Sequence, residues 1–421
     1  MNDSKNSNST LKETLDQIEA GFSGLRETAR LVLAVIASTR LKRRQPLAVI
    51  LVGGPSSGKT TLLMPFTKGQ QGTKVKDQVL RVDDFSAASL VSHAANKTEE
   101  QLAKIDLLPK LKGKVVIVKE MAPVFTGHED DLMNKFGIFA SILDGEGYTS
   151  SKGSHGQRGY SDPIIFTLLG AVTPNVIRGK VTKALDAVGP RFSFWNIPKR
   201  KIDADSWRGP TQDHFELEGK AEAALVSFAE HLFAQHEPGS IPREAFSVGE
   251  EAHRKLSLIA FTMAAMRSRG VEERDDLGNT LGIEITSESP ERAYRYLEQI
   301  VFGSALSDGR REITNDDLRL ALWIAIGSAS TSRSSVMGAL VSAGGRMRTR
   351  DLAIAMNKSV DSAENYTKFM EEQKFIERVN NDGIIEWDLA KTYRPLRTIH
   401  APGLIQEEQI KKFLDDGELP F

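Results

Sequence analysis

The stretch LAVILVGGPSSGKTTLLMPF, residues 47–66, decides how the chain is read. An apolar run breaks into a turn of glycines, proline and serines, and a second apolar run follows Gly58-Lys59-Thr60. The first run has the pattern of a buried strand, and the turn that ends it opens a helix. Gly53, Gly58, Lys59 and Thr60 fit G-x-x-x-x-G-K-[ST] without exception. In that pattern the glycines let backbone N–H groups converge on phosphate oxygens, the lysine reaches the terminal phosphates and the hydroxyl binds magnesium. The expected phosphate-binding residues are Gly53, Gly54, Pro55, Ser56, Ser57, Gly58, Lys59, Thr60 and Thr61, with Thr60 as the metal ligand.

Outward from this loop, short apolar runs alternate with helical segments, as a parallel sheet with crossover helices requires. Strands are expected at 47–53, 79–85, 114–120, 164–173 and 191–197, which completes one α/β phosphate-loop domain over 46–200. Residues 1–45 form a helical segment before it, and 201–245 read as a charged, partly helical connection. From 246 to 330 the pattern is nearly all helix, 333–392 form a smaller unit and 393–421 a tail. The net charge of −1 gives no global attraction to nucleic acid, so any such binding falls to local basic patches. The absence of cysteine excludes disulfides, thiolate metal sites and a thiol nucleophile. The polar start lacks a signal pattern and no apolar run reaches membrane-spanning length, so a cytoplasmic protein without membrane contact is expected.

A guanine-reading N-K-x-D is missing, which points to ATP with Mg2+. In KVVIVKEMAP, Glu120 ends the third strand, where a carboxylate polarises an attacking water. The residue before it, usually an aspartate supporting magnesium through water, is Lys119, which binds no metal. Asp83 and Asp84, in RVDDF, lie at the end of the second strand.

Residues 128–143 read as a helix, 145–160 as a glycine-punctuated hairpin, and a strand then ends at Thr173. Here the chain resembles the AAA+ ATPases, within them the group that carries a β-hairpin before the sensor-1 strand and includes minichromosome-maintenance helicases and branch-migration motors. The resemblance spans about 46–390 as an ordered succession of motifs. It implies that Thr173, with Asn175 as alternate, senses the γ-phosphate. It implies that Arg191, in GPRFSFWNIP, is an arginine finger for a neighbouring subunit. It also implies an all-α lid whose sensor-2 arginine is Arg295 or Arg292, and a ring, a hexamer being favoured.

The hairpin YTSSKGSHGQRGY carries Lys152, His155 and Arg158 with an aromatic at each end and no acid, which suits phosphates and bases. In the resembling group this hairpin faces the channel and grips DNA. Three helices at 334–375 followed by an Asn-Asp-Gly hairpin resemble a winged helix-turn-helix. Its third helix carries Asp361, Glu364, Glu371 and Glu372, so DNA contact falls to Arg348 and Arg350 before it, or the module binds a protein partner. The expected activity is ATP hydrolysis driving work on nucleic acid. The alternatives are an ATP-gated switch that recruits a partner, which Lys119 favours, and a small-molecule kinase resembling the uridine kinase type, with Asp83 or Asp84 as base.

Overall fold

The structure is a computed structural model. It describes residues 10–399 except 44, 69–72, 85, 93–96, 153–155, 178–180, 182, 183, 185–190, 199–210, 275–279, 287 and 382. Two compact units divide the chain, Met1–Ser247 with Phe302–Arg311, and Val248–Val301 with Glu312–Phe421.

All five expected strands of the first unit form, β1 one residue and the others three or four residues shorter than the expected runs. They are β1 (Leu47–Val52), β2 (Val79–Arg81), β3 (Val115–Val118), β6 (Thr167–Val172) and β7 (Ser193–Asn196), in the order β2-β3-β6-β1-β7. Every pairing is parallel. β1 and β6 are buried at every position, as continuous apolar strands at the centre of a parallel sheet must be. Along the chain between β3 and β6, the hairpin β4 (Tyr148–Lys152) and β5 (Gly156–Tyr160) stands as its own two-stranded sheet.

Helices cover the sheet. α1 (Leu11–Gly21) opens with a capping box between Thr10 and Glu13, and α2 (Arg26–Ala37) follows after a short turn. Then come α3 (Lys59–Leu63), α4 (Thr73–Gln78), α5 (Ala87–Leu90), α6 (Glu99–Ile105), α7 (Ala122–Phe125) and α8 (Glu129–Leu143). Phe125, Phe136, Phe139 and Phe192 meet edge-on at 5.6–6.3 Å between centroids, the geometry in which a positive ring edge faces a negative ring face. The expected connection is largely one helix, α9 (Gln212–Gln235). Its buried Ala221, Leu225, Phe228, Leu232 and Phe233 recur at helical spacing, and it packs along α1.

The second unit holds α10 (Glu250–Arg267), α11 (Pro290–Ser307, its last residues counted with the first unit) and α12 (Asn315–Gly327). The expectation of an all-helical stretch here is corrected by a hairpin, β8 (Arg269–Arg274) with β9 (Thr280–Thr286). The alternating Leu281, Ile283 and Ile285 carry a period of two, which a helical reading passes over. Next come α13 (Thr331–Ser342), β10 (Met347–Arg348), α14 (Thr349–Met356), α15 (Val360–Glu372), β11 (Ile376–Asn381) and β12 (Ile384–Leu389). The small sheet runs β10-β12-β11, all antiparallel, and Ser359 caps α15 through the Ser362 amide at 3.2 Å. At the β11–β12 turn Gly383 takes φ +85° and its amide donates to Asn380 Oδ1.

The expected tail starts too early at 393, because residues up to 399 are packed: Tyr393, Leu396 and Ile399 are buried. Arg394 and Arg397 converge with Arg346 on the buried Asp388 carboxylate, the Arg346 and Arg394 contacts at 3.5 and 3.6 Å. Burial works to raise that carboxyl, but the hydrogen bond from Arg397 and the charges of Arg397 and Arg394 outweigh it and hold it below the usual carboxylate value. A depressed carboxyl stabilises the fold above the unfolded value of about 4, and that contribution disappears as pH falls through the folded value. Asp388→Asn is expected to cost about 1 kcal/mol at neutral pH, since Arg346 and Arg394 reach solvent and Arg394 keeps Glu377. Denaturant melts at pH 7 and pH 3 check this, the variant losing less stability than the parent on acidification.

Candidate nucleotide site

Because the five strands are parallel, their carboxyl ends lie along one edge of the sheet, where ligand sites of α/β proteins form. The register makes this concrete. Val52 is level with Val172 on β6 and Asn196 on β7, and Val118 is level with Gly170. Two backbone bonds carry the alignment past the strand ends, Gly53 N–H to the Val172 carbonyl at 3.2 Å and Met121 N–H to the Ala171 carbonyl at 2.7 Å. The loop after β1, Thr173 after β6 and Lys119-Glu120 after β3 therefore emerge side by side. With β6 between them, the β1 and β3 ends stand two strand spacings apart, about 10 Å.

The loop is shaped by its glycines. Gly58 sits at φ +87°, and a β-carbon there would come within 2.3 Å of Leu25 Cδ1. At Gly53 a β-carbon would lie 2.3 Å from Ser57 Oγ, whereas Gly54 has open space. Ser56 also adopts the left-handed region, at φ +59°. The left-handed turn at Ser56 and Gly58 and the open space at Gly54 are the backbone features that a phosphate-binding loop uses.

Lys59 is buried, and its Nζ donates to the carbonyls of Gly53 at 2.6 Å and Gly54 at 2.7 Å. Burial lowers the lysine's affinity for its proton, and the Glu120 charge partly offsets this. An ammonium in such a setting gains strongly from an added anion. Thr60 and Pro55 are exposed and Thr61 is half-buried. Glu120 is half-buried and its Oε1 accepts the Ala122 amide at 3.3 Å.

Lys119 points to a carboxylate of the adjacent strand, its Nζ 3.8 Å from Asp83 Oδ1. Asp83 is gripped more closely by Arg81, at 2.9 and 3.1 Å. The Arg81 hydrogen bond, with Lys119 adding, holds the Asp83 carboxyl below its ordinary value although burial opposes this. Asp84 is exposed beside it. Thr173 is half-buried and Asn175 exposed.

The remaining expected residues lie elsewhere. Arg191 donates to Asp144, at the end of α8, through Nη2 at 2.8 Å and Nε at 3.3 Å. Arg158 donates to the Ser92 carbonyl and, at 3.3 Å, to Asp106. The Asp106 carboxylate is fully buried, ends α6, and also accepts the Tyr160 hydroxyl at 2.8 Å and the Ser92 amide at 2.7 Å. Burial, followed by the Asp106 hydrogen bond and charge, pushes the Tyr160 phenol up to about 12. Arg158, midway along β5, thus ties the hairpin to the buried Asp106. Lys152 lies at the end of β4, and His155 falls outside the described residues. In the second unit Arg295 is exposed on α11 and Arg292 half-buried, while Arg348 is exposed in β10 and Arg350 exposed in α14.

Asp106, Asp144 and Leu25 have no local signature that would have singled them out, because each acts on a residue far along the chain.

No protein-family model matches this sequence, and no curated protein matches it. Two solved structures are similar to it at low scores. The apo A form of the NrS-1 C-terminal region shares 11% identity over 90% of this chain and 74% of that one, with a TM-score of 0.26. Cdc6p from Pyrobaculum aerophilum shares 12% identity over 100% of this chain and 99% of that one, with a TM-score of 0.20. The parallel five-stranded sheet with its glycine-lysine loop fits a P-loop nucleotide-binding fold.

Gly58→Ala is expected to cost about 2 kcal/mol or more, from a left-handed alanine and the Leu25 overlap, and to abolish retention on ATP-agarose. Arg158→Ala is expected to destabilise the first unit by about 3 kcal/mol, because it strips a buried carboxylate of its cation. A melt of that variant unchanged from the parent would make Arg158 a surface cation available to nucleic acid.

Proposed function

We propose that this chain is an AAA+ ATPase that binds and hydrolyses ATP and works on nucleic acid as a homo-oligomeric ring. The observation that carries the reading is the juxtaposition along one sheet edge of the Lys59 loop, Thr173 and Glu120, with β6 between the loop and the carboxylate. In this reading Lys59 and the loop amides hold the β- and γ-phosphates and Thr60 holds the magnesium ion that accompanies them. Bound Mg2+ neutralises charge on the phosphates. Glu120, across β6, orients and deprotonates a water, and Thr173 between them senses the terminal phosphate.

Arg191 serves a neighbouring subunit only after leaving Asp144, so ring assembly competes with that ion pair. Arg295 or Arg292 remains the sensor-2 proposal. The three helices and small antiparallel sheet at 331–389 support the winged-helix reading, with Arg348 and Arg350 exposed for phosphate or a protein partner. Lys152 and His155 are the hairpin's nucleic-acid candidates, Arg158 being committed to Asp106.

A second reading, an ATP-gated switch with slow turnover, is favoured by one contact. Where a magnesium-supporting carboxylate is usual, Lys119 stands and pairs with Asp83. The kinase reading has less support, since Asp83 is held ionised by Arg81 and is a weakened base.

Steady-state ATP hydrolysis with and without single- and double-stranded DNA tests these readings, with Lys59→Ala and Glu120→Gln beside the parent. Turnover raised by DNA and reduced at least about 100-fold in both variants is expected of the motor. Tight ATP binding with negligible turnover, indifferent to DNA, would overturn it in favour of the switch.

A further inference from the structure

The phosphate loop is held from outside its own motif. Gly58 is required by its φ of +87°, and the Leu25 side chain stands where its β-carbon would be, with Cδ1, Cδ2 and Cγ 2.3, 3.0 and 3.2 Å from that position. Leu25 is the residue before α2 and is 2% exposed.

Its position is fixed by a built turn. Gly24 takes φ +79°, and the Leu25 amide donates to the Phe22 carbonyl at 3.1 Å. Leu25 has no capping side chain for α2, and Glu19 supplies the missing acceptor. One Glu19 oxygen takes the Gly24 amide at 2.8 Å and the other the Arg26 amide at 3.3 Å. Asp16 pairs with Arg26 across the same turn.

Both flanking helices are anchored. On α1, Gly21 lies so close to α9 that a β-carbon would stand 2.6 Å from the Leu217 carbonyl oxygen. On α2, the buried Thr28 hydroxyl accepts Trp195 Nε1 of β7 at 3.1 Å, which ties the turn to the strand beside β1. Helix α9 also holds the start of α4, its Glu230 carboxylate accepting the Lys74 and Val75 amides at 2.8 Å each.

We infer that Leu25 is a positioning residue for the phosphate loop, a knob presented by the α1–α2 turn that keeps Gly58 left-handed and raises nucleotide affinity. The inference rests on reading Gly53–Thr60 as the nucleotide-phosphate loop. An apolar knob against a glycine narrows the loop's conformers before any ligand arrives, and affinity scales with the fraction of chains already in the competent conformer. The α1–α2 turn thereby sets the loop's shape before any ligand arrives.

Two measurements on the full chain test this. The first is hydrogen exchange of the amides at 54–60 without nucleotide, in the parent, Leu25→Ala, Leu25→Met and Leu15→Ala. Leu15→Ala removes a similarly buried side chain from α1 away from the turn, so it matches the cavity cost alone. The expected result is exchange at 54–60 about tenfold faster in Leu25→Ala than in the other three, including Leu15→Ala at matched global stability. The second is the ATP dissociation constant by calorimetry, expected to weaken about tenfold in Leu25→Ala and to recover in Leu25→Met. Equal exchange at 54–60 in Leu25→Ala and Leu15→Ala would overturn the inference. Absence of ATP binding in the parent would overturn the nucleotide reading instead, and the exchange result would still decide the role of Leu25.

Discussion

The hydrogen bond from the Gly53 amide to the Val172 carbonyl is the point at which sheet becomes site. It holds the end of β1 level with the end of β6, and the Met121 amide does the same for the chain leaving β3. Without this alignment the lysine loop, Thr173 and Glu120 would be three unrelated strand ends. With it they share one edge of the parallel sheet. The aromatic cluster of Phe125, Phe136, Phe139 and Phe192 and the fully buried β1 and β6 keep that edge rigid. Sites that depend on positioning need such a scaffold.

Charge in this protein is used largely on its own architecture. Arg158 serves Asp106, Arg191 serves Asp144, and Arg346, Arg394 and Arg397 crowd one aspartate. A buried carboxylate cannot stay ionised without a cation, so Asp106 and Asp388 each commit arginine, and the half-buried Asp144 holds Arg191. Lys119 and Asp83 are different, since both side chains reach solvent and their contact is long. Such a pair contributes little to stability and exchanges easily.

Much of the architecture was legible. The five strands, the helix at 129–143, the hairpin after it and the helix starts at Thr349 and Ser359 are set by local period and turn chemistry. Two elements were not. The β8–β9 hairpin was hidden because its flanking sequence reads as helix, although Leu281, Ile283 and Ile285 alternate. The length of α9 was masked by the charged residues on its outer side, while its apolar positions keep helical spacing against α1. In both cases a short signal lost to the composition around it.

By itself the sequence determined the loop. Gly53, Gly58 and Lys59 lie within a few residues of one another, and the left-handed turn that Gly58 makes before Lys59 is a local property of the backbone. Only tertiary structure decided which cations are committed and what holds the loop in shape. Arg158 finds Asp106 across 52 residues, Arg191 finds Asp144 across 47, and Gly58 is pinned by a leucine beside another helix. Those partners are chosen by burial, because an ion or an apolar side chain is satisfied by whatever the fold brings next to it, and no local pattern encodes that neighbour.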